Sequence, residues 1–591
     1  MSTRQYGTDN TGGNPFFPRM MGTHGAIAAE HYLAAQAGAD VMKAGGNAVD
    51  GAVAAAFVEG VVNPNMHTLG GECPMLIYMA DTGRVVAVNG NMAAPGAATP
   101  EAFRQRGVAE LSYEGILVAG VPAAFGALLT ALAQFGTLPL AEAVAPALAI
   151  ARGGFPAHKG LVRQVKYGID VLEEKFRTRW PGSGAVYLPG GRVPEVGQII
   201  QNPALADTFE ALARAEKAAG GDRQRGLTAA LDFFYKGDIA TEIDRYCREK
   251  DGLVRRSDLE VFRTHLEQPV SLDFRDTTVF KCGFWNQGPV VLQALAILEN
   301  FDLRAMGHLS ADYLHTVVEA CKLAFADREQ YYGDPAQVEV PAAGLLSKDY
   351  GRQRAALIDA AKAHPQLRPG DPAAGKPLLA PELWLGGKSW GAGTVHVDAV
   401  DSAGNMAAFT PSGGWIRSNE VIPALGFPLG SRMETFFLQP AHHPNLVAPF
   451  KRPRTTISPS LTFRRGEPWM VFGSMGGDQQ DQWQLQFLLN VAEFGMTVQE
   501  AIEAPKFSSE HFPTFFAPHD NLLNRLRIEP NHPPGVLDEL ARRGHDLEIA
   551  GEWSEGYLLA AARHAGTGLL EAGCDPRAEK SEVFPSLALA W

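Results

Sequence analysis

The sequence is poor in cysteine and has no paired cysteine motif. Five cysteines are scattered over 591 residues, at Cys73, Cys247, Cys282, Cys321 and Cys574. An odd number of widely spaced cysteines without a C-x-x-C pattern argues against a disulfide scaffold and against a cysteine-rich zinc site. We therefore expect free thiols in a reducing compartment, which predicts a cytoplasmic protein.

The chain also has no excess of positive charge. Its 52 Lys and Arg residues stand against 65 Asp and Glu residues, which gives a formal net charge of −13 and a pI near 5.7. Nucleic acids and anionic membrane surfaces repel such a chain, so neither is expected as a partner. An anionic substrate would have to be held by individually placed arginines.

Neither a secretory signal nor a membrane span is predicted. Residues 1–21 are polar and rich in Gly and Pro, unlike the basic and then apolar start of a signal peptide. Residues 115–141 carry no charge, but they are interrupted by helix breakers, at Pro122, Gly126, Gly136 and Pro139. We interpret this stretch as a turn, one buried helix and a second turn.

Several metal and catalytic motifs are absent. There is no H-E-x-x-H pattern, and His442-His443 stand in a Pro-rich loop without further ligands. Gly387-Lys388-Ser389 resembles the end of a phosphate-binding loop, but Glu382 occupies the required earlier glycine position. Gly473-Ser474 lacks the G-x-S-x-G spacing of a nucleophile elbow. The sequence thus predicts neither a metal nor a cofactor.

The order of predicted elements favours an α+β protein. Residues 28–62 have small apolar residues at helical spacing and predict two packed helices, whereas residues 75–90 show the alternation of a hairpin. Helices dominate residues 121–329. After residue 394 short alternating strands prevail, followed by a helix over about 479–494. Such a succession favours a layered α+β body over repeated βαβ units.

What the chain does contain is a threonine suited to become an N-terminal nucleophile. Gly391-Ala392-Gly393 is a flexible approach to Thr394, which opens an alternating β-branched run. Cleavage before Thr394 would place a free α-amine beside its hydroxyl as the base, a pairing used by N-terminal threonine enzymes. Alone, the pattern also fits an ordinary strand start. Residues 363–392, rich in Pro and Gly, would let the new terminus move away or are simply a surface loop.

A glycine pair before a predicted helix is the second candidate feature. The backbone N–H groups of Gly476 and Gly477 can point outward together, next to the positive end of the following helix. Such a pair suits an oxyanion hole for acyl transfer. The alternative is a tight turn that requires positive φ. Asp478 is predicted to cap the helix.

Together with other blocks, these features resemble the γ-glutamyltransferase family of N-terminal nucleophile hydrolases. The blocks follow the family's order over nearly the whole chain: Lys43–Asp50, His67–Glu72, Ala326–Arg328, Gly333–Pro335, Lys451–Pro453 and Gly473–Gly477. Met475 replaces the proline of the family's GSPGG pattern. The resemblance implies a four-layer αββα sandwich. It also implies cleavage into paired large and small fragments, residues 1–393 and 394–591.

The resemblance further implies catalytic roles for five residues. Thr394 corresponds to the processed nucleophile and Gly393 to the residue before the cut. Ser412 falls where the family has a second threonine, whose hydroxyl supports the nucleophile. Gly476 and Gly477 correspond to the oxyanion-hole pair.

The family's set of residues for γ-glutamyl recognition is largely replaced. Asn91 stands where an arginine grips the α-carboxylate of the donor. Gly414, Arg432 and Thr435 stand where an asparagine, a glutamine and an aspartate hold the α-groups. Loss of one Arg–carboxylate pair costs on the order of a few kcal/mol, enough to remove selectivity.

Other replacements suggest a different grip on the substrate. Thr455 and Thr456 take the place of paired serines. Arg432 and Arg454 are candidates for a new carboxylate clamp, and the alternative for each is a structural ion pair. An anionic or amide-bearing small molecule is therefore the expected substrate.

The sequence thus predicts a self-processing, γ-glutamyltransferase-like amidohydrolase. It would cleave a γ-glutamyl or related amide through a threonine acyl-enzyme, with water or an amine as acceptor. One alternative is a hydrolase of small, oxamate-like amides or an acylase of the same family. A processed carboxylate-binding protein without turnover and an unprocessed structural protein are alternatives of another class. The fragments could also assemble into a homo-oligomer.

Overall fold

A computed structural model describes residues 15–164, 167–379, 393–516, 519, 521–580 and 583–591. Gly391, Ala392 and the adjoining part of the Pro- and Gly-rich segment lie outside the described residues. The described strands, in chain order, are β1 Met20–Gly22, β2 Gly25–Ala29, β3 Met75–Met79, β4 Arg84–Asn89, β5 Phe155–Pro156, β6 Ile199–Ile200, β7 His265–Glu267, β8 Val270–Phe274, β9 Thr277–Lys281, β10 Val397–Asp401, β11 Met406–Phe409, β12 Ser460–Arg464, β13 Glu467–Ser474, β14 Phe507–Ser509, β15 Arg525–Ile528, β16 Asp546–Ile549, β17 Leu558–Arg563, β18 Leu570–Cys574 and β19 Leu587–Ala590.

Helices account for most of the chain before residue 360. The described α-helices are α1 Tyr32–Lys43, α2 Ala48–Val62, α3 Pro100–Gln105, α4 Ala124–Phe135, α5 Leu140–Gly153, α6 Lys159–Arg163, α7 Ile169–Thr178, α8 Pro181–Tyr187, α9 Pro203–Ala218, α10 Arg223–Tyr235, α11 Asp238–Glu249, α12 Arg256–Val261, α13 Pro289–Leu298, α14 Leu303–Met306, α15 Ala311–Tyr331, α16 Ala342–Leu345, α17 Lys348–Ala355, α18 Gln479–Ala492, α19 Val498–Glu503, α20 Val536–Arg542 and α21 Pro576–Lys580. Short 3-10 helices lie at Ile116–Val118, Pro189–Gly191 and Arg432–Thr435.

Two antiparallel sheets organise these elements. The first sheet has the strand order β19-β2-β10-β11-β3-β4-β7 and the second the order β1-β18-β17-β13-β12-β9-β8. All neighbouring strands in both sheets run antiparallel. Two smaller sheets, β14-β15-β16 and β5-β6, lie apart from this pair.

The central strands of the first sheet bury both of their faces. In β2, Ile27 and Ala29 pack against α1 and α2, whereas Ala26 and Ala28 face the second sheet. This division follows from the two-residue period of a strand, which sends successive side chains to opposite faces. Small residues dominate here because helices cover one face and another sheet covers the other.

The second sheet is covered in the same way on its outer face. Met470 and Phe472 of β13 belong to a cluster with side chains of α13, α15 and α18, whereas Val471 faces the first sheet. The two sheets therefore share an apolar layer.

The same alternation decides where the residues around Thr394 point. Val397 and Ala399 of β10 join the cluster under α1 and α2, so Asp398 and Val400 face the second sheet. His396 lies on that inner side, because a Cβ added at Gly473 of β13 would come within 2.3 Å of its imidazole ring. Thr394, two residues earlier, is placed at the end of the layer between the sheets.

Several local predictions are confirmed. The two early helices are α1 and α2, the hairpin is β3-β4, and the uncharged stretch contains the buried helix α4.

No helix in the described ranges combines the length and the apolar character that a membrane crossing requires. All five cysteines are buried and unpaired.

Candidate active site

Thr394 is fully buried beside Ser412. The two residues form an isolated antiparallel bridge, and the Thr394 Oγ1 and Ser412 Oγ atoms lie 3.1 Å apart. The Val395 N–H donates to the Pro411 carbonyl, which continues the pairing towards β10 and β11. The sheet register therefore sets the distance between the two hydroxyl groups.

The Ser412 hydroxyl has three partners, and their roles follow from its chemistry. Arg432 Nη2 donates to Ser412 Oγ over 2.8 Å, and Ser412 Oγ donates to the Gly393 carbonyl over 2.9 Å. Because a hydroxyl group has one proton and two lone pairs, Thr394 must then donate its own hydroxyl proton to Ser412. A hydrogen-bonded chain thus runs from Arg432 and Thr394 through Ser412 to the carbonyl oxygen before Thr394.

Trp415 binds the same carbonyl oxygen. Its indole Nε1–H donates to the Gly393 carbonyl over 2.7 Å and also to the Met66 carbonyl over 2.8 Å. The ring is fully buried, and the guanidinium groups of Arg417 and Arg432 lie 4.4 and 4.8 Å from its centre. Cations stack on an indole face because its π electrons attract positive charge.

Arg432 is held by Glu72 rather than exposed to solvent. Both side chains are fully buried, and the Arg432 Nε–H forms an ion pair with the Glu72 carboxylate. Burial raises the pKa of Glu72, and the Arg432 charge opposes that rise. Within the described structure, Arg432 Nη1 lacks a hydrogen-bond partner. The role of Arg432 in holding a substrate carboxylate stays a prediction, and its Nη1 group, which carries two N–H donors, would have to bind that carboxylate.

The glycine-rich block before Glu72 supports Ser412 from the other side. His67 Nδ1–H donates to the Ser412 carbonyl over 3.2 Å, and burial lowers the pKa of His67 to about 4, so the ring is neutral at pH 7. A Cβ at Gly71 would come within 2.1 Å of the Ser412 carbonyl oxygen. Only a glycine allows this close approach of the two backbones.

The glycine pair of the second candidate feature lies in the turn between β13 and α18. Gly476 and Gly477 have φ values of +122° and +63°, a conformation that favours glycine. Asp478 is the N-cap residue of α18, as predicted, but its side chain makes no capping hydrogen bond. Its carboxylate instead forms an ion pair with Arg328 and accepts the Phe515 N–H over 2.8 Å.

Apolar side chains bring this turn to the nucleophile. Met475 packs in one cluster with Val395 and Met66. Phe515 and Phe516 pack with Trp415, and a Cβ at Gly477 would lie 3.3 Å from the Phe516 ring. The two features that the sequence suggested separately therefore belong to one site.

Arg454 belongs to an ionic cluster that also contains Asp478, the residue after the glycine turn. It forms an ion pair with Glu329 and donates to the Arg328 carbonyl, and its Nε has no partner among the described residues. Burial opposes ionisation of Glu329, but Arg454 and Arg328 lower its pKa to about 2. The charge of Arg454 is thus already neutralised by the Glu329 carboxylate. Its role in binding the substrate stays a prediction.

The predicted binding residues Thr455 and Thr456 are both fully buried. The Thr455 carbonyl accepts the Gln287 N–H, and Gln287 Nε2 donates to the Gly477 carbonyl over 3.3 Å. Thr456 Oγ1 is buried and unpartnered within the described chain. Gln287 thus links Thr455 to the glycine turn.

Asn91, Thr435 and Gly414 flank the Glu72–Arg432 pair. Asn91 Nδ2 donates to the Pro453 carbonyl over 2.6 Å, and its Oδ1 is buried with no partner in the described residues. Thr435 Oγ1 donates to the Arg432 carbonyl over 2.9 Å, which braces the 3-10 helix. Gly414 has a φ of +65°, and a Cβ there would meet Thr68 Oγ1.

Three further residues of the site were not assigned from the sequence. Glu72 ends the quoted glycine-rich block, so its position was visible but its partner was not. Trp415 directly follows Gly413-Gly414. Met66 directly precedes His67, the first residue of the glycine-rich block. No spacing rule indicates that the indole N–H is directed back at Gly393.

The described residues contain no group of three or more His, Cys, Asp or Glu side chains arranged to hold a metal ion. The groups that can act chemically are instead hydroxyls, an indole N–H, backbone amides and guanidinium groups. They surround a peptide bond whose next residue carries a buried hydroxyl, which suits acyl transfer to that hydroxyl.

Comparison with known proteins identifies the family. The Gamma-glutamyltranspeptidase family profile matches residues 34–584. The chain therefore belongs to the γ-glutamyltranspeptidase family, and it is an enzyme of the amidohydrolase type.

Individual relatives are similar over almost the whole chain. The glutathione hydrolase proenzyme of Escherichia coli strain K12 is 31% identical over 89% of this chain and 86% of its own length. Acylase ACY 1 proenzyme of Pseudomonas sp. strain SE83 is 30% identical over 96% of this chain and 95% of its own. The solved structure of LmbA2991HD is 39% identical with a TM-score of 0.89, covering 98% of this chain and 100% of that one.

Proposed function

We propose that this enzyme cleaves its own chain between Gly393 and Thr394, and that the freed Thr394 then hydrolyses a small-molecule amide. The fragments would be residues 1–393 and 394–591, together forming a four-layer αββα sandwich. One observation carries the proposal: a buried threonine hydroxyl and two hydrogen-bond donors surround the carbonyl group that precedes this threonine.

The first reaction is an N-to-O shift. Thr394 Oγ1 attacks the Gly393 carbonyl carbon, a C–O bond forms and the C–N bond breaks. The proton that leaves the hydroxyl group ends on the Thr394 nitrogen, which becomes a free amine. Water then hydrolyses the ester, giving a Gly393 carboxyl group and restoring the Thr394 hydroxyl.

The second reaction is turnover of the substrate. The new α-amine takes the Thr394 hydroxyl proton while the oxygen attacks the substrate carbonyl. The N–H groups of Gly476 and Gly477 are suited to stabilise the oxyanion, each contributing about 3 kcal/mol in comparable sites. Water or an amine resolves the acyl-enzyme.

The chemistry around the nucleophile favours one class of acyl group over another. A γ-glutamyl donor carries an α-carboxylate, but Asn91 replaces the family's arginine and Arg432 is neutralised by Glu72. A family relative is an acylase. An acylase acting on a donor without an α-carboxylate is therefore the second candidate beside a γ-glutamyl hydrolase or transferase.

Five buried, unpaired cysteines support a cytoplasmic location.

Intact mass measurement and N-terminal sequencing test the self-cleavage. The purified wild-type protein is expected as two chains, one starting Thr-Val-His-Val, whereas Thr394→Ala is expected to remain uncut. Thr394→Ser, which keeps a hydroxyl group, is the matched control and should still be cut. An uncut wild-type chain would refute the proposed nucleophile.

A panel of amides tests the substrate class. γ-Glutamyl anilide, N-acyl amides without an α-carboxylate and oxamate are offered to the processed enzyme, with uncut Thr394→Ala as the blank. Release of product from the acyl amides alone supports the acylase. Release from γ-glutamyl anilide supports the γ-glutamyl enzyme. Thermal stabilisation by a ligand without any product would indicate a binding protein.

A further inference from the structure

We propose that self-cleavage has an oxyanion site of its own, made by the Ser412 hydroxyl and the Trp415 indole N–H, with Trp415 as a catalytic residue of the processing step. The inference rests on the proposed function and deepens it. It separates the donors used to cut the chain from the Gly476 and Gly477 amides proposed for substrate turnover.

Both donors already touch the reacting oxygen in the uncut chain. The Gly393 carbonyl oxygen accepts from Ser412 Oγ over 2.9 Å and from Trp415 Nε1 over 2.7 Å. Oxyanion-hole donors act at distances of about 2.7–3.1 Å from the oxygen that becomes negative. Attack by Thr394 Oγ1 would transfer charge to an oxygen that needs no further approach by its donors.

The surrounding charges favour a negative oxygen at this place. Arg432 donates to Ser412 Oγ, and the guanidinium groups of Arg432 and Arg417 lie over the Trp415 ring. Both arginines are nearly or fully buried, where charges interact more strongly than in water. Glu72 neutralises only Arg432 directly. Burial raises the pKa of nearby Glu434 to about 8, so this second carboxyl group is mainly protonated at pH 7.

A second acceptor holds the indole in position independently of the reaction. Trp415 Nε1–H also donates to the Met66 carbonyl over 2.8 Å. Met66 packs with Val395 and Met475, so its backbone is fixed by the same cluster that holds the nucleophile's strand. The indole N–H is therefore oriented before the attack, and departure of the Gly393 carboxyl group leaves it with an acceptor.

The charge on the oxygen is transient and the atoms balance. The Thr394 Oγ1–C bond forms, negative charge collects on the Gly393 oxygen, and the carbonyl re-forms as the C–N bond breaks. The proton of the Thr394 hydroxyl ends on the Thr394 nitrogen. Trp415 and Ser412 stabilise the charged state and are unchanged at the end.

The test is the rate of self-cleavage of the full chain, followed on denaturing gels during cell-free synthesis. Trp415→Phe keeps an aromatic ring beside the two arginines and removes the N–H group. Loss of one oxyanion donor slows comparable reactions about 10²–10³-fold, so a loss of at least about 10²-fold is expected. Trp469→Phe is the matched control, because Trp469 is also largely buried under a guanidinium group, that of Arg464.

Two measurements separate chemistry from misfolding. Thr394→Ala and the double variant Thr394→Ala/Trp415→Phe are compared by thermal unfolding, and both should melt cooperatively. Incorporation of 3-benzothienylalanine at position 415 replaces only the N–H group by sulfur in a ring of nearly the same shape. It should slow cleavage as much as phenylalanine does.

The comparison with turnover identifies the site that each donor serves. In Trp415→Phe the cleavage rate should fall by a larger factor than turnover per processed site. In Ser412→Ala both should fall, because Ser412 also contacts the nucleophile's hydroxyl. If Trp415→Phe or the benzothienyl chain is cut at the wild-type rate, the inference is wrong while the proposed function stands. If Thr394→Ala is cut, the proposed function itself fails.

Discussion

Gly393 lies in a space that admits no side chain. A Cβ at this position would come within 2.5 Å of Met66 Sδ and 2.8 Å of the Asn65 carbonyl oxygen. The sulfur can move, but the backbone carbonyl cannot move without disturbing the residues beside the site. The residue before the cut is thus restricted by packing as well as by chemistry.

Gly393→Ala should therefore slow self-cleavage. A displacement of the Gly393 carbonyl by a few tenths of an ångström lengthens its hydrogen bonds to Ser412 and Trp415, and misplacement of reacting groups costs up to about 10²-fold in rate. The cleavage rate on denaturing gels measures the effect. Gly153→Ala, where an added Cβ meets nothing within 4 Å, is the control. Equal rates for both variants would show that the crowding at Gly393 does not matter.

At the scale of elements, β10 carries a buried acidic group into the layer between the sheets. Asp398 Oδ1 lies 2.9 Å from His396 Nε2, and Asp398 Oδ2 is buried without a partner in the described residues. Burial raises the pKa of Asp398 to about 6, although His396 opposes the rise. The strand that leads to the nucleophile thus contains a group that resists ionisation.

This pKa predicts a pH-dependent effect of Asp398→Asn. The folded state binds the Asp398 proton more tightly than the unfolded chain, so the wild type loses stability as the pH rises from about 4 to about 6. The asparagine variant does not titrate and should gain about 3 kcal/mol relative to the wild type across that window.

The measurement is urea unfolding between pH 4 and pH 7, in a Thr394→Ala background that keeps the chain in one piece. Asp40→Asn, at an exposed position on α1, serves as the control. A free-energy difference for Asp398→Asn that is constant with pH would contradict the prediction.

The element scale also shows why the sequence predicted some parts of the site and not others. Helices α1 and α2, hairpin β3-β4 and the turn before α18 depend on local periodicity and on glycine, which the sequence displays. The contact of Trp415 with Gly393 depends on the register between the residues near 394 and those near 412, together with the side chain's direction. The Glu72–Arg432 pair joins residues 360 positions apart, which no local pattern indicates.

Asp478 illustrates the same limit. The local pattern of an acidic residue before a helix predicts a cap. The buried Arg328 of α15 binds that carboxylate instead. An unpaired buried guanidinium group would cost more free energy than the loss of one capping hydrogen bond. Tertiary contacts therefore override a correct reading of the local sequence.

At the scale of the whole molecule, the proposed cut separates strands that alternate within both sheets. In the first sheet β10 and β11 come from the part after residue 393 and lie between β2 and β3 from the part before it. In the second sheet β12, β13, β17 and β18 lie between β1 and β9. Each fragment thus supplies strands that the other needs to complete its sheets.

The two fragments should consequently stay together after cleavage. The small fragment has 591 − 393 = 198 residues, so by proportion of length to 63.5 kDa the fragments are roughly 21 and 42 kDa. Denaturing electrophoresis should show both, whereas size-exclusion chromatography in native buffer should show them in one peak.

Uncut Thr394→Ala is the reference for that peak. Elution of either fragment alone would show that the interleaved strands do not hold the pair. Dissociation only in denaturant, together with the loss of helical circular dichroism, is the expected result, because separation breaks backbone hydrogen bonds in both sheets.

The interleaving of strands also has a consequence for inheritance. Two alleles expressed in one cell, one defective before residue 393 and the other after it, would each yield a pair of fragments derived from a single polypeptide. Exchange of fragments between such pairs would require both pairs to unfold. The two intact fragments, one from each allele, would therefore not associate. Defects in the two parts of this gene should therefore fail to complement each other.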